Sequence, residues 1–158
     1  MNGLMDQDVA KIYGNKVRVR ACGLCWNENR LLLVNHKGIT SGNFWAPPGG
    51  GIEFGQSITE TLKKEFREET GITVEPRHFL FGCEFIEKPI HSIELFYAVD
   101  HVSGRVKTGF DPEVQIIEDV RFMSAEDIRN VAIAELHGIF RFIASPGELK
   151  NLKGFFRI

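Results

Sequence analysis

An α/β (α+β) domain is what the sequence predicts, on three observations. Apolar runs of strand character recur along the chain, beginning with VRVRACGLCW at Val17–Trp26 and RLLLVN at Arg30–Asn35. A helix with stop and start signals at both ends follows at Ser57–Gly71, and further strand-like runs, HFLFGCEFI at His78–Ile86 and HSIELFYAV at His91–Val99, come after it. No internal repeat, low-complexity tract or linker interrupts the 158 residues, so one domain over 1–158 is expected, with 1–14 as an N-terminal extension and 145–158 as a C-terminal tail.

In the first run Val17, Val19 and Ala21 alternate with Arg18, Arg20 and Cys22, the two-residue period of a strand. Arg18 and Arg20 share a strand face, where they would either meet an anionic ligand or, as is commoner, be solvated. Asn27-Glu28-Asn29 reads as the turn of a hairpin into Arg30–Asn35. His36–Trp45 (HKGITSGNFW) reads as a polar loop, and Ala46-Pro47-Pro48-Gly49-Gly50-Gly51 as an approach in which main chain can pass close to a metal or phosphate. Ser57 with Glu60 three residues on makes a capping box, and Gly71 is the stop. Lys88-Pro89 marks the turn between the third and fourth strands. Asp119–Met123 reads as a short strand, and Ser124 with Asp127 caps a helix to about Asn130. Ala134–Ile143 reads as a helix with Leu136, Ile139, Phe140 and Ile143 on one face, ended by Pro146-Gly147. Phe155 and Phe156 are expected to dock the tail on the body.

Bulk composition excludes several classes. A formal net charge of -2 leaves no basic excess to neutralise a nucleic-acid polymer, though a single nucleotide stays open as ligand. Apolar runs are far too short for a membrane span, and Met1–Gly14 has no apolar core of a signal peptide. Cys22, Cys25 and Cys83 suggest reduced thiols in a cytoplasmic setting. Cys22 and Cys25, three apart on a strand, point to opposite faces, which favours core packing over zinc.

Chemistry concentrates on the capped helix. Glu65, Glu68 and Glu69 fall at i, i+3 and i+4 and so share one side of it. Three like charges that close repel one another, and a divalent cation converts the repulsion into coordination. Carboxylate oxygens are hard donors suited to magnesium or manganese, and magnesium is completed by water and substrate phosphate. A metal held there suits cleavage of a phosphoanhydride. Leu62 and Phe66 form the adjoining apolar stripe, with Lys63, Lys64 and Arg67 turned elsewhere. His36 and Lys37, after the second strand, are candidates to reach phosphates, though solvation of a loop is the commoner role. His91 and His137 show no partner pattern, and Ser57 is a cap rather than a nucleophile.

The stretch Gly50–Ile72 resembles the Nudix box, G-x5-E-x7-R-E-U-x-E-E-x-G-U. Gly50, Glu65, Glu68, Glu69, Gly71 and Ile72 match, and Trp45 with Pro48-Gly49 resembles the usual approach. Gln56 stands where the family has glutamate, Lys64 where it has arginine and Phe66 where it prefers an aliphatic residue. Lysine lacks arginine's bidentate fork. The resemblance implies an α/β/α sandwich with a mixed sheet between helices, and magnesium- or manganese-dependent hydrolysis of a nucleoside diphosphate derivative. It assigns Glu65, Glu68 and Glu69 as metal ligands and catalytic groups; Glu65 is a candidate to assist deprotonation of water, members of the family differing in which glutamate serves as base. A further acidic ligand is expected from Glu113, with Glu118 second. Gly49, Gly50, His36, Lys37 and Lys64 are the expected substrate contacts. Phe44, Trp45, Phe96 and Tyr97 are candidates to stack on a base, and core packing explains each equally. The substrate range it implies runs from nucleoside triphosphates and damaged nucleotides to nucleotide sugars and ADP-ribose, and a homodimer is compatible with it. The contrasting expectation is a noncatalytic nucleotide-binding sensor, left open by Gln56 and Lys64.

Overall fold

The computed structural model describes residues 7–109 and 117–158. Helix α1 (Gln7–Tyr13) precedes β1 (Val17–Asn27) and β2 (Arg30–His36). The β1–β2 turn is the two residues Glu28 and Asn29, since Asn27 already pairs with Arg30. Two short strands, β3 (Phe44–Ala46) and β4 (Gly49–Gly51), lead to α2 (Ile58–Thr70). The long hairpin β5 (Thr73–Glu87) and β6 (Ile90–Ser103) turns at Lys88-Pro89, a cis peptide. Then come β7 (Ile117–Met123), α3 (Ala125–Arg129), three 3-10 turns at Ile133–Glu135, Gly138–Phe142 and Pro146–Lys150, and β8 (Phe155–Arg157).

The sheet is mixed. Its strand order is β3-β2-β1-β6-β5-β8, with β4 added beside β1 and β7 beside β2. β1 runs parallel to β6 and β8 parallel to β5, while the other pairs are antiparallel. Strand alternation sorts side chains into two cores. Ala21, Cys25, Leu32 and Val34 join Leu62 and Phe66 of α2 on one face. Cys22, Leu24, Leu31 and Leu33 join Ile128 of α3 and Ile139, Phe140 and Leu149 of the 3-10 turns on the other. This is a mixed sheet between helical layers. Cys22 and Cys25 thus fall in opposite cores as free, buried thiols, and burial pushes the Cys25 thiol up to about 12.

Helix α2 forms as its caps predict. The Ser57 hydroxyl accepts the Glu60 N–H at 3.1 Å, the Glu60 carboxylate accepts the Ser57 N–H at 2.8 Å, and Gly71 ends the helix at φ 75°. Phe66 is fully buried over Gly23, where a Cβ would lie 2.5 Å from its ring. The absence of a side chain at Gly23 lets α2 lie directly on the sheet.

Two expectations are corrected toward the C-terminus. Ala134–Ile143 is not an α-helix but parts of two 3-10 turns around an extended Leu136. The reason is a competing partner: the His137 N–H donates to the Trp45 carbonyl at 2.8 Å, so the segment is tied to β3 instead of to its own preceding turn. Leu136, Ile139 and Phe140 are buried nonetheless, because i and i+3 also share a face in a 3-10 turn. Pro146 begins the last 3-10 turn instead of ending a helix. The tail is a sheet strand: β8 pairs with Gly82–Glu84, Phe156 meets Phe81 edge-on at 6.3 Å, and Phe155 stays largely exposed.

Candidate active site

Where α2, β4 and the open end of the sheet meet, there is a cavity of about 440 Å³. Glu65, Glu68 and Glu69 all line it, as their helical spacing requires. The three are held differently. Glu69 is 2% exposed and one of its oxygens accepts the Gly49 N–H at 3.1 Å. The Glu65 carboxylate rests against Gly50, where a Cβ would come within 2.3 Å of it. Glu68 carries a buried oxygen, Oε2, with no hydrogen-bond partner. Gly49 and Gly50 therefore serve the acidic groups directly, through a backbone donor and through the room a missing side chain leaves.

Arg18 and Arg20 of β1 line the same cavity, which corrects the solvated-face expectation. Arg18 lies 3.7 Å over the Tyr13 ring of α1. Arg20 donates to Glu94 at 2.7 Å and to the Gly49 carbonyl at 3.2 Å. Glu94, 4% exposed on β6, binds His137 Nε2 at 2.6 Å through its other oxygen. His137 Nδ1 accepts the Ile139 N–H, so Nε2 carries the proton and donates to Glu94. Burial works to raise the Glu94 carboxyl, but His137 and Arg20 outweigh it and hold the group at about 2.

His36 and Lys37 part company. His36 ends β2, not a loop; it is buried, lines the cavity, and its Nδ1 has no partner. Burial, with Arg20 nearby, holds its imidazole down to about 3, so it is a neutral group and not a cation for phosphate. Lys37 is not one of the residues lining the cavity and pairs with Glu118 at 2.9 Å. That pair occupies the second candidate for an outlying acidic ligand. Glu113, the first candidate, lies outside the described residues. Of the aromatic candidates only Phe44 lines the cavity. Phe96 stacks on Phe81 in the core at 4.7 Å, Trp45 is buried, and Tyr97 meets Phe79 on the opposite face.

Lys64 lines the cavity and sits 3.4 Å from Glu53. Partial burial works against its charge, but Glu68, Glu53 and Glu65 raise its ammonium above the ordinary value. Gln56 is engaged elsewhere, accepting the Thr61 hydroxyl at 2.8 Å. The acidic partner of Lys64 is thus supplied by Glu53 instead of position 56.

Among the described residues no three His, Cys, Asp or Glu groups stand ready to enclose a metal by themselves. The donor set nevertheless suits magnesium, which takes one or two carboxylates and is completed by water and phosphate. The unpartnered Glu68 oxygen is the observation that fits a cation at this site. Sequence reasoning missed Glu94 and His137. Their signal was faint: Glu94 shares the in-facing register of Arg20 across the β1–β6 pairing, which only the topology reveals.

A mixed sheet between helices, with a glycine strand feeding an acidic helix at a cavity, is the arrangement of this chain. The model of the NUDIX domain matches residues 15–143, and the chain belongs to that family. Curated relatives include "Putative ADP-ribose pyrophosphatase YjhB" of Bacillus subtilis, 28% identical over 80% of this chain and 62% of that protein. The ADP-ribose pyrophosphatase of Methanocaldococcus jannaschii is 28% identical over 56% of this chain and 54% of its own length. The nucleoside triphosphatase NudI of Klebsiella pneumoniae is 29% identical over 72% and 86%. The chain thus spans little more than half the length of the first two relatives. Among solved structures, the MutT protein of Methanosarcina mazei Go1 has a TM-score of 0.66 at 24% identity, covering 81% of this chain and 90% of that one. A UDP-X diphosphatase has a TM-score of 0.66 at 19% identity, covering 94% and 74%. These likenesses establish the fold.

Proposed function

We propose that this chain hydrolyses a phosphoanhydride bond in a small nucleoside diphosphate derivative, using magnesium, or manganese in its place. The carrying observation is that Glu65, Glu68 and Glu69 line one cavity together with Arg18 and Arg20. Bound there, the ion would neutralise phosphate charge and lower the pKa of a coordinated water. Glu68 and Glu69 would be its principal holders, Glu69 aimed by the Gly49 N–H. Glu65, seated against Gly50, would take the proton from the attacking water. Arg18 and Lys64 would bind phosphate oxygens, and His36 a neutral part of the substrate. Glu113 is kept as a further ligand: Gly109, shortly before it, donates its N–H to the Glu69 carbonyl at 2.9 Å, so the chain passes the end of α2. The names of the relatives, ADP-ribose pyrophosphatases and nucleoside triphosphatases, support this substrate class.

A second reading, a noncatalytic nucleotide-binding module, draws on the Lys64–Glu53 contact, which is a weaker clamp than a bidentate arginine would make. Incubation with magnesium and a panel of nucleoside di- and triphosphate derivatives separates the two. Hydrolysis that disappears in Glu68→Gln supports the enzyme. Nucleotide binding without turnover on any panel member supports the module. A reduced cytoplasmic setting accords with the three buried free thiols. A homodimer, if formed, would show as twice the monomer mass in light scattering.

A further inference from the structure

A carboxylate as buried as Glu94 is costly unless both oxygens are met, and apolar residues of similar size would often serve stability as well. Here both oxygens are met, and each partner is itself fixed to main chain. On one side the Ile139 N–H sets the His137 ring, which donates to Glu94. On the other, Arg20 binds Glu94 and reaches the carbonyl of Gly49. The N–H of the same Gly49 donates to Glu69. Gly49 has no room to be held by a side chain of its own, since a Cβ would lie 2.4 Å from the Ala21 carbonyl. Its position is set by the strand pairing with Cys22 and by Arg20.

We propose that Glu94 is a positioning residue for Glu69, acting through Arg20 and the backbone of Gly49. Hydrogen bonds from Glu94 to Arg20 to the Gly49 carbonyl, and from the Gly49 N–H to Glu69, are thus joined through the Gly49 backbone. The role rests on the reading of Glu69 as a metal-holding group, but not on turnover. Loss of the Glu94 charge frees Arg20 to turn, loosens the Gly49 carbonyl and widens the range of positions open to Glu69. Outlying partners of metal ligands typically contribute about 10- to 100-fold to metal affinity.

The test compares Glu94→Gln and Arg20→Lys with the unaltered chain. The glutamine keeps the shape but cannot accept from both Arg20 and His137; the lysine keeps a cation but not the two-pronged reach. Titration with manganese alone, followed by calorimetry, is expected to show affinity about tenfold weaker in either variant. The Gly49 amide signal is expected to move in the 1H–15N spectrum of both. Combining Glu94→Gln with Glu69→Gln is expected to weaken manganese binding no more than Glu69→Gln alone, because the two changes act on one path. Unchanged affinity and an unmoved Gly49 signal in whichever variants fold, or losses that simply add in the double variant, would overturn the proposal. A chain that binds manganese but turns over no substrate would count against the hydrolase reading while leaving these readouts intact.

Discussion

The backbone N–H of Gly49 donates to a carboxylate oxygen of Glu69 at 3.1 Å, joining a strand and a helix 20 residues apart in the chain. The neighbouring Gly50 touches the neighbouring acid, Glu65. Two consecutive glycines therefore address two different carboxylates, one by donating and one by making room.

Gly50→Ala tests the second of these. Its Cβ would fall 2.3 Å from the Glu65 carboxyl carbon, so Glu65 must move. A misplacement of about 1 Å can cost about 100-fold in rate, which is the loss expected here. Circular dichroism should be unchanged, because the pressure falls on a side-chain end and not on main chain.

Glu68→Gln is expected to abolish metal-dependent turnover without harming the fold. Removing one of three like charges on a helix face relieves repulsion worth about 0.2–0.5 kcal/mol per pair. Thermal unfolding in metal-free buffer should therefore show stability equal to or slightly above that of the unaltered chain. A clear fall would mean that Glu68 has a structural partner.

Acid should destabilise the fold in two overlapping windows. His36 has a folded pKa lowered from 6.5 to about 3, so below pH 6.5 the unfolded chain takes up a proton that the folded chain refuses. Its penalty grows as pH falls from 6.5 toward 3. Glu94 is lowered from 4.5 to about 2, so its contribution is present above 4.5 and is lost as pH falls toward 2. Melting temperature measured against pH should begin to fall near 6.5, and His36→Asn should delay that onset to the carboxylate range.

Lys64→Arg restores a planar fork beside Glu53. Exposed pairs are worth about 0.2–1 kcal/mol, so a rise in kcat of about 1.4-fold to fivefold is expected if the pair steadies the site. Steady-state kinetics on the best substrate of the panel would measure it. No change would show that the lysine already suffices.

Phe66→Ala is the counterweight, a change aimed at packing. The ring is fully buried against Gly23, and such truncations cost about 3–5 kcal/mol. Denaturant unfolding should show that loss, and activity should fall with the folded fraction.

Local grammar alone determined a good deal about this protein. Helix α2, its Ser57–Glu60 box and its Gly71 stop depend on groups within a few residues of one another, so spacing is enough to read them. The same holds for the common side of Glu65, Glu68 and Glu69, for the opposite faces of Cys22 and Cys25, and for the Ser124 cap of α3. Partnerships made across the chain were decided only by the tertiary structure. Arg20 looked like a solvated arginine until the parallel pairing of β1 with β6 set Glu94 beside it. His137 showed no pattern because its partner lies 43 residues away. Leu136–Phe140 has helical spacing, yet the Trp45 carbonyl captured the His137 N–H and left 3-10 turns. His36 belongs by composition to a polar loop, but the register of β2 with β3 and β7 draws it into the cavity wall, where burial removes its charge. Periodicity records what a residue does for its own element; burial and long-range hydrogen bonds depend on which elements become neighbours, and that is a property of the whole chain.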